Sequence, residues 1–226
     1  AKFIKIEEVD LLIVDSQVHI WSTGLPTNLA HRQITSFSVD DLFKEMDEAG
    51  VDAAVIHPPG WDPNSNQIAL DAAQNYPDRL SILGNFPLDQ EESRSLVGSW
   101  MDKPGMLGLR FALNQPHQQN WPTDGTMDWL WPAAEAAAIP VGLAAANFMP
   151  LVGQVAERHP NLKLIVDHMG RSGGLTDDPA WETLPELLDL AKFPNVAVKA
   201  SGAPSYSSAA YPFTNIHDHL HKIYDA

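Results

Sequence analysis

Short apolar runs recur along the chain and alternate with stretches whose apolar residues return every three or four positions. The runs cover residues 12–20, 53–57, 80–86, 106–113, 140–145, 162–169 and 195–202. They are apolar on both faces, as strands covered on both sides are, and they predict seven strands. The stretches between them predict helices over 38–49, 64–75, 90–101, 127–138, 150–158, 179–192 and 215–224. The first helix carries the clearest signals. Ser38 and Asp41 stand three apart, like a capping box, and Gly50 follows the end. Leu42, Phe43, Met46 and Ala49 make its apolar face. Pro77 and Pro160 fall just past helix ends, where a residue without an N–H belongs.

Seven β-α units in succession argue for a parallel sheet covered by helices. Their regularity favours a closed α/β barrel of the TIM type over an open sheet. No GxGxxG follows the first strand, so a dinucleotide-binding sheet lacks its usual mark. The whole chain, 1–226, reads as one domain. A complete barrel has eight strands and typically ~250 residues. After the seventh helix the sequence DHLHKIYDA offers no further strand. The expectation is a (β/α)8 barrel lacking its eighth strand here, shortened at the C-terminus, with two strand edges left unpaired.

Composition narrows the function classes. Hydrophobic residues make up 44% of the 226, enough for a sizeable core. A net charge of −15 argues against nucleic acid and anionic membrane surfaces as partners. It leaves room for a small anionic organic substrate met by a few inward cations. There is no cysteine, which removes disulfides, thiolate catalysis and Cys-based zinc sites together. The N-terminus AKFIKIEEVD is charged and lacks the apolar core of a signal peptide. No apolar run approaches the ~20 residues that span a bilayer. A cytoplasmic location is the expectation. A homo-oligomer stays open, since Trp61 and Trp100 suit a core, a lid or an interface equally.

The chemistry concentrates at strand ends. Along Asp15-Ser-Gln17-Val-His19-Ile-Trp21, alternation puts Asp15, Gln17 and His19 on one face, expected to point into the barrel. In Gly108-Leu-Arg110-Phe-Ala112, small neighbours leave room around a cation that can grip a carboxylate with two parallel hydrogen bonds. An internal ion pair with Asp or Glu is the blander use of Arg110. The strongly apolar sixth run ends in Asp167-His168-Met-Gly170, which places a histidine for acid–base work at a strand tip. Lys199 and Ser201 share a face of the seventh run. Lys199 suits either a bound anion or a buried carboxylate. His57 and Asn85 lie at strand ends and, with Trp21, complete the substrate-binding candidates. His217, His219 and His221 look like a metal cluster, but 219 lies off the face that 217 and 221 share on a helix. They read as a solvated helix. Trp129 and Trp131 read as packing residues.

Taken together, Asp15-Ser-Gln17-Val-His19-Ile-Trp21, Gly108-Leu-Arg110, Asp167-His168-Met-Gly170 and Lys199-Ala-Ser-Gly202 resemble the amidohydrolase superfamily, in its amidohydrolase-2 branch. Each motif is weak alone; their order on successive strands makes the set specific, over nearly the whole chain. The resemblance implies a TIM-type barrel with its chemistry at the C-terminal strand ends. It implies lactonases such as 2-pyrone-4,6-dicarboxylate hydrolase, or metal-dependent decarboxylases. The superfamily's first strand carries a metal-binding His-x-His. Here Gln17 replaces the first His, and an amide is a far poorer zinc ligand than imidazole. The fifth strand, where metal-binding relatives have a His, reads Pro140-Val-Gly142-Leu-Ala144-Ala-Ala146. The family's eighth-strand Asp lies past the end of this sequence. A metal-independent hydrolase without a cofactor is therefore expected. If one zinc or manganese ion were bound, His19 and His168 would be its ligands. On this reading Arg110, with Lys199, holds the substrate's carboxylate, His19 and Gln17 donate to the carbonyl oxygen, and the eighth-strand Asp activates water, with His168 assisting or holding the tetrahedral intermediate. The alternatives are a metal-dependent decarboxylase and a non-catalytic barrel that binds a small acid.

Overall fold

In a computed structural model of the protein, residues 11–226 are described, apart from Ala30 and Glu91. The charged N-terminal segment read above lies outside the described residues. Among these, seven strands form one parallel sheet in sequence order: β1 (Val14–Val18), β2 (Ala53–Ile56), β3 (Leu80–Asn85), β4 (Met106–Phe111), β5 (Val141–Leu143), β6 (Leu164–Val166) and β7 (Val196–Val198). Each strand pairs only with its neighbours in sequence, so β1 and β7 each keep a free edge.

The sheet curls into most of a barrel. Laid flat, six strand spacings would separate β1 from β7 by roughly 29 Å. Instead Lys199 Nζ, just past β7, lies 3.3 Å from Gln17 Oε1 on β1. Arg110 on β4 reaches across the interior to Asp167 after β6. This is the TIM-type architecture with seven strands in place. The gap between β1 and β7 explains why Leu12, Ile13, Val14 and Val198 are exposed although they sit in strand runs. Asp15 stands on the same open edge. It is exposed and accepts a hydrogen bond from Gln17 N at 2.9 Å, so it does not join the inward row.

Small residues let the interior close. A Cβ on Gly108 would collide with the carbonyl of Pro140, and one on Gly142 would sit 2.7 Å from the Leu83 side chain. The missing side chains leave space beside Arg110, as the sequence suggested. Around the sheet, α1 (Val39–Ala49) begins at Ser38 with both arms of the capping box formed and ends at Gly50, φ 69°. Helices α2 (Ser65–Asn75) and α5 (Met149–Arg158) also follow their patterns closely.

Other elements are shorter than the pattern predicts. The stretch 90–101 resolves into a single turn, α3 (Ser93–Leu96), followed by a 3-10 helix, Val97–Asp102. The next, α4 (Leu130–Ala136), begins three residues late. The stretch 179–192 breaks into α6 (Asp178–Trp181), α7 (Leu184–Leu188) and the 3-10 turn Asp189–Lys192. Pro185 causes the break, because it has no N–H to continue the α6 ladder and instead starts a new helix. The last helix is α8 (His217–Asp225).

Candidate active site

The polar cluster sits where the C-terminal ends of β1, β2, β4, β6 and β7 converge. Its centre is Asp167, a fully buried carboxylate. Arg110 Nε donates to Asp167 Oδ2 at 2.8 Å. Lys199 Nζ lies 2.9 Å from Asp167 Oδ1, an ion pair whose angle falls short of a hydrogen bond. Burial alone would raise the Asp167 carboxyl, but the adjacent Arg110 and Lys199 outweigh it and hold the group well below the usual carboxylate range. Arg110 thus makes the internal ion pair that its sequence context allowed. Its two Nη atoms make no hydrogen bond among the described residues, so they remain available to a ligand.

The strand reading of 162–169 fails at its end. β6 stops at Val166, and residues 167–170 form a left-handed turn. His168 has φ 52° and Met169 φ 56°, a region that costs residues with a Cβ on the order of 1–2 kcal/mol each. The turn is tied down from β7: Lys199 N donates to Val166 O and Met169 N to Lys199 O. Backbone strain held in this way is a common property of functional sites. Here it aims the His168 ring back over the barrel mouth. His168 Nε2 meets Gln17 Nε2 at 2.9 Å, and His168 Nδ1 meets Ser201 Oγ at 3.0 Å. An amide nitrogen only donates, so His168 Nε2 is the acceptor and the ring proton sits on Nδ1. Burial lowers the His168 pKa, while the charge of Asp167 works the other way.

His19 is fixed differently. Its Nδ1–H donates to the carbonyl of His57 at 2.6 Å. Burial, then the charge of Arg110, pushes its pKa down to about 3, so the ring is neutral at pH 7. The other nitrogen, Nε2, therefore carries a lone pair and has no partner among the described residues. This reverses the role expected from sequence: with its one N–H spent on His57 O, His19 offers a ligand only the acceptor Nε2 and has no proton left to donate to a substrate carbonyl. His57 is wholly buried, and burial followed by Arg110 and Lys199 lowers its pKa to about 2.

The remaining candidates divide. Lys199, expected beside the substrate, is already engaged by Asp167, by Gln17 Oε1 and by His57 Nε2 at 2.9 Å. Asn85 ties the end of β3 to the β2 loop through Pro58 O at 2.8 Å and to Asn66, outside the cluster. Trp21 is buried, with its indole N–H on Ile34 O, and lines a cleft of about 450 Å³ together with Gln17, His19 and His31. A larger groove of about 640 Å³ lies away from the chemistry, between β7, α7 and α8, and is mostly apolar. His219 is not solvated as expected: it stacks on Trp181 with ring centres 4.7 Å apart. Trp131 and Trp100 are core residues, and Trp129 packs against Phe86.

Sequence reasoning missed three residues. Asp167 was noticed only as the neighbour of His168. His31 stacks on His19 at 5.8 Å, and Trp61 meets the same ring edge-on at 5.7 Å. Both reach the site on loops, where no periodicity marks them.

The donor set of the described residues does not fit a divalent metal. Among the described residues no three His, Cys, Asp or Glu side chains converge as metal ligands. The one carboxylate present already faces two cations.

These pKa shifts fix a pH dependence. The folded protein keeps His19 and His57 neutral between about pH 6.5, their ordinary value, and about 3. The unfolded chain binds those protons, so stability is full above about 6.5 and falls as pH drops. Two such groups contribute a loss of roughly 3–4 kcal/mol by pH 5. Asp167, held low, adds its own loss only below about pH 4. The melting temperature should fall by about 10 °C between pH 7.5 and pH 5; a flat profile would contradict the burial of these rings.

Residues 14–226 match the amidohydrolase family model. No curated protein matches the chain. Among solved structures, an amidohydrolase from Burkholderia multivorans with bound zinc is 19% identical, with a TM-score of 0.79 over 96% of this chain and 80% of that one. A probable 2-pyrone-4,6-dicarboxylic acid hydrolase from Acinetobacter baumannii, with citric acid bound, is 21% identical, with a TM-score of 0.65 over 95% and 78%. A 5-carboxyvanillate decarboxylase from Novosphingobium aromaticivorans, complexed with manganese, is 14% identical, with a TM-score of 0.60 over 94% and 90%. At these identities the likeness is one of fold.

Proposed function

Because the chain belongs to the amidohydrolase family, in its amidohydrolase-2 branch, we propose that it is a metal-independent hydrolase that opens a small carboxylate-bearing lactone or similar ester. The observation that carries this reading is the pairing of a half-free guanidinium with two neutral histidines at one barrel mouth. The Nη atoms of Arg110 would hold the carboxylate and orient the ring. Gln17 has a second amide N–H beyond the one facing His168, and it would donate to the carbonyl oxygen as charge develops there. His19 Nε2 would accept from the attacking water and orient it. His168 Nε2 has one lone pair, engaged by Gln17 until that amide turns to the substrate; once freed, it would take the water's proton and return it to the leaving alkoxide, giving the hydroxy acid. A small anionic substrate and a cytoplasmic setting belong to the same proposal. Among the described residues no helix is long and apolar enough to cross a membrane.

Decarboxylation, as in the manganese-complexed relative, is the second reading. It needs a metal ligand set that the described residues do not assemble. A panel of carboxylated and neutral lactones tests the choice. Hydrolysis of the carboxylated members is expected, with Arg110→Gln raising KM by about 10- to 100-fold, as for a lost charge-assisted pair. Binding without turnover across the panel would favour a non-catalytic barrel. Release of CO2 from aromatic acids would favour the lyase.

A further inference from the structure

We propose that the Lys199 ammonium is this site's own cation: it holds Gln17, His57 and Asp167 together and, through Gln17, fixes the proton of His168 on Nδ1. The inference does not depend on the reaction class. Lys199 Nζ lies 2.9 Å from Asp167 Oδ1, 2.9 Å from His57 Nε2 and 3.3 Å from Gln17 Oε1. An ammonium has three hydrogens and no acceptor, so each of these atoms faces it as an acceptor or counter-charge. The side chain is almost entirely buried, and the site around it carries two cations against one carboxylate. A divalent ion would have to enter against that excess.

The second half follows from the amide. Gln17 has one oxygen and one nitrogen on its head, and the oxygen faces Lys199. The nitrogen must then face His168, which leaves His168 Nε2 as acceptor and puts the proton on Nδ1, beside Ser201 Oγ. The same cation sets His57. Ser16 O lies 3.2 Å from His57 Nε2 and would need a proton there, whereas Lys199 needs a lone pair. The shorter, charge-assisted contact prevails. The proton then sits on His57 Nδ1, a buried atom with no hydrogen-bond partner among the described residues. Lys199 is thus a positioning residue: it acts on the histidines and not on the substrate.

The test uses 15N-histidine-labelled protein. Long-range 15N–1H spectra report which ring nitrogen carries the proton, and calorimetry follows zinc titration. In the unsubstituted protein His168 should appear as the Nδ1–H tautomer, and zinc should leave the His19, His57 and His168 signals unmoved. Lys199→Met removes the charge at similar length. His168 should then populate the Nε2–H form, and zinc should bind about tenfold tighter, a modest share of a charge repulsion at this distance. Should Lys199→Met not fold, Gln17→Met cuts the link while keeping the ion pair with Asp167, and it should release the same tautomer. A His168 signal unchanged in the folded variant, or zinc held by these histidines with Lys199 in place, would overturn the proposal.

Discussion

Asp167→Ala should be the most destabilising single substitution at the barrel mouth. It leaves the buried Arg110 guanidinium and the buried Lys199 ammonium facing one another with no counter-charge. Removing one partner of a buried ion pair costs about 3–5 kcal/mol, and two cations depend on this one. For a domain of this size that is a fall in melting temperature of about 6–20 °C. The carboxylate also anchors the start of the left-handed turn, so activity should fall with stability. A thermal scan of the purified variant is the check. A melting temperature within about 2 °C of the unsubstituted protein would mean that water reaches and solvates these charges, and the buried centre would not exist as described.

His168→Ala should act on turnover and leave the fold in place. A positioned general base contributes about 10²- to 10⁴-fold, so kcat/KM should drop by that factor with KM little changed. The backbone conformation separates this role from a structural one. His168 sits at φ 52°, where any residue with a Cβ is strained. Glycine relieves that strain, so His168→Gly should be more stable than His168→Ala by about 1 kcal/mol while being equally inactive. A site that trades stability for function shows this signature. If the Gly variant kept its rate, the ring would not be the base. If it were less stable than the Ala variant, the turn would not be strained.

Much of this architecture is legible in the sequence because burial on both faces writes itself as apolar runs. The seven runs and their order correspond to seven strands and theirs. The runs that carry Gln17, Arg110, His168 and Lys199 also pointed to one end of the barrel. What the sequence hid is directional. The run 162–169 is largely apolar through Val166, and nothing in Asp167-His168 says that the backbone turns left-handed there; Gly170 alone hints at it. An ion pair for Arg110 is one of two readings that the sequence allows, but its partner cannot be named there because Asp167 lies 57 residues away. His19 looked like a donor because a ring's tautomer is set by a distant carbonyl, that of His57. The break in 179–192 was legible, since Pro185 announces it, yet the apolar pattern on either side outweighed the signal.

The metal question bears most directly on the whole account. The measurement is lactone hydrolysis by protein stripped with a strong chelator, with metal content determined on the same sample by elemental analysis. The account predicts an undiminished rate with far less than one metal ion per chain, carried by Gln17, His19, Arg110 and His168. A rate that vanishes on stripping and returns with one zinc or manganese per chain would contradict it and make the site a metal centre.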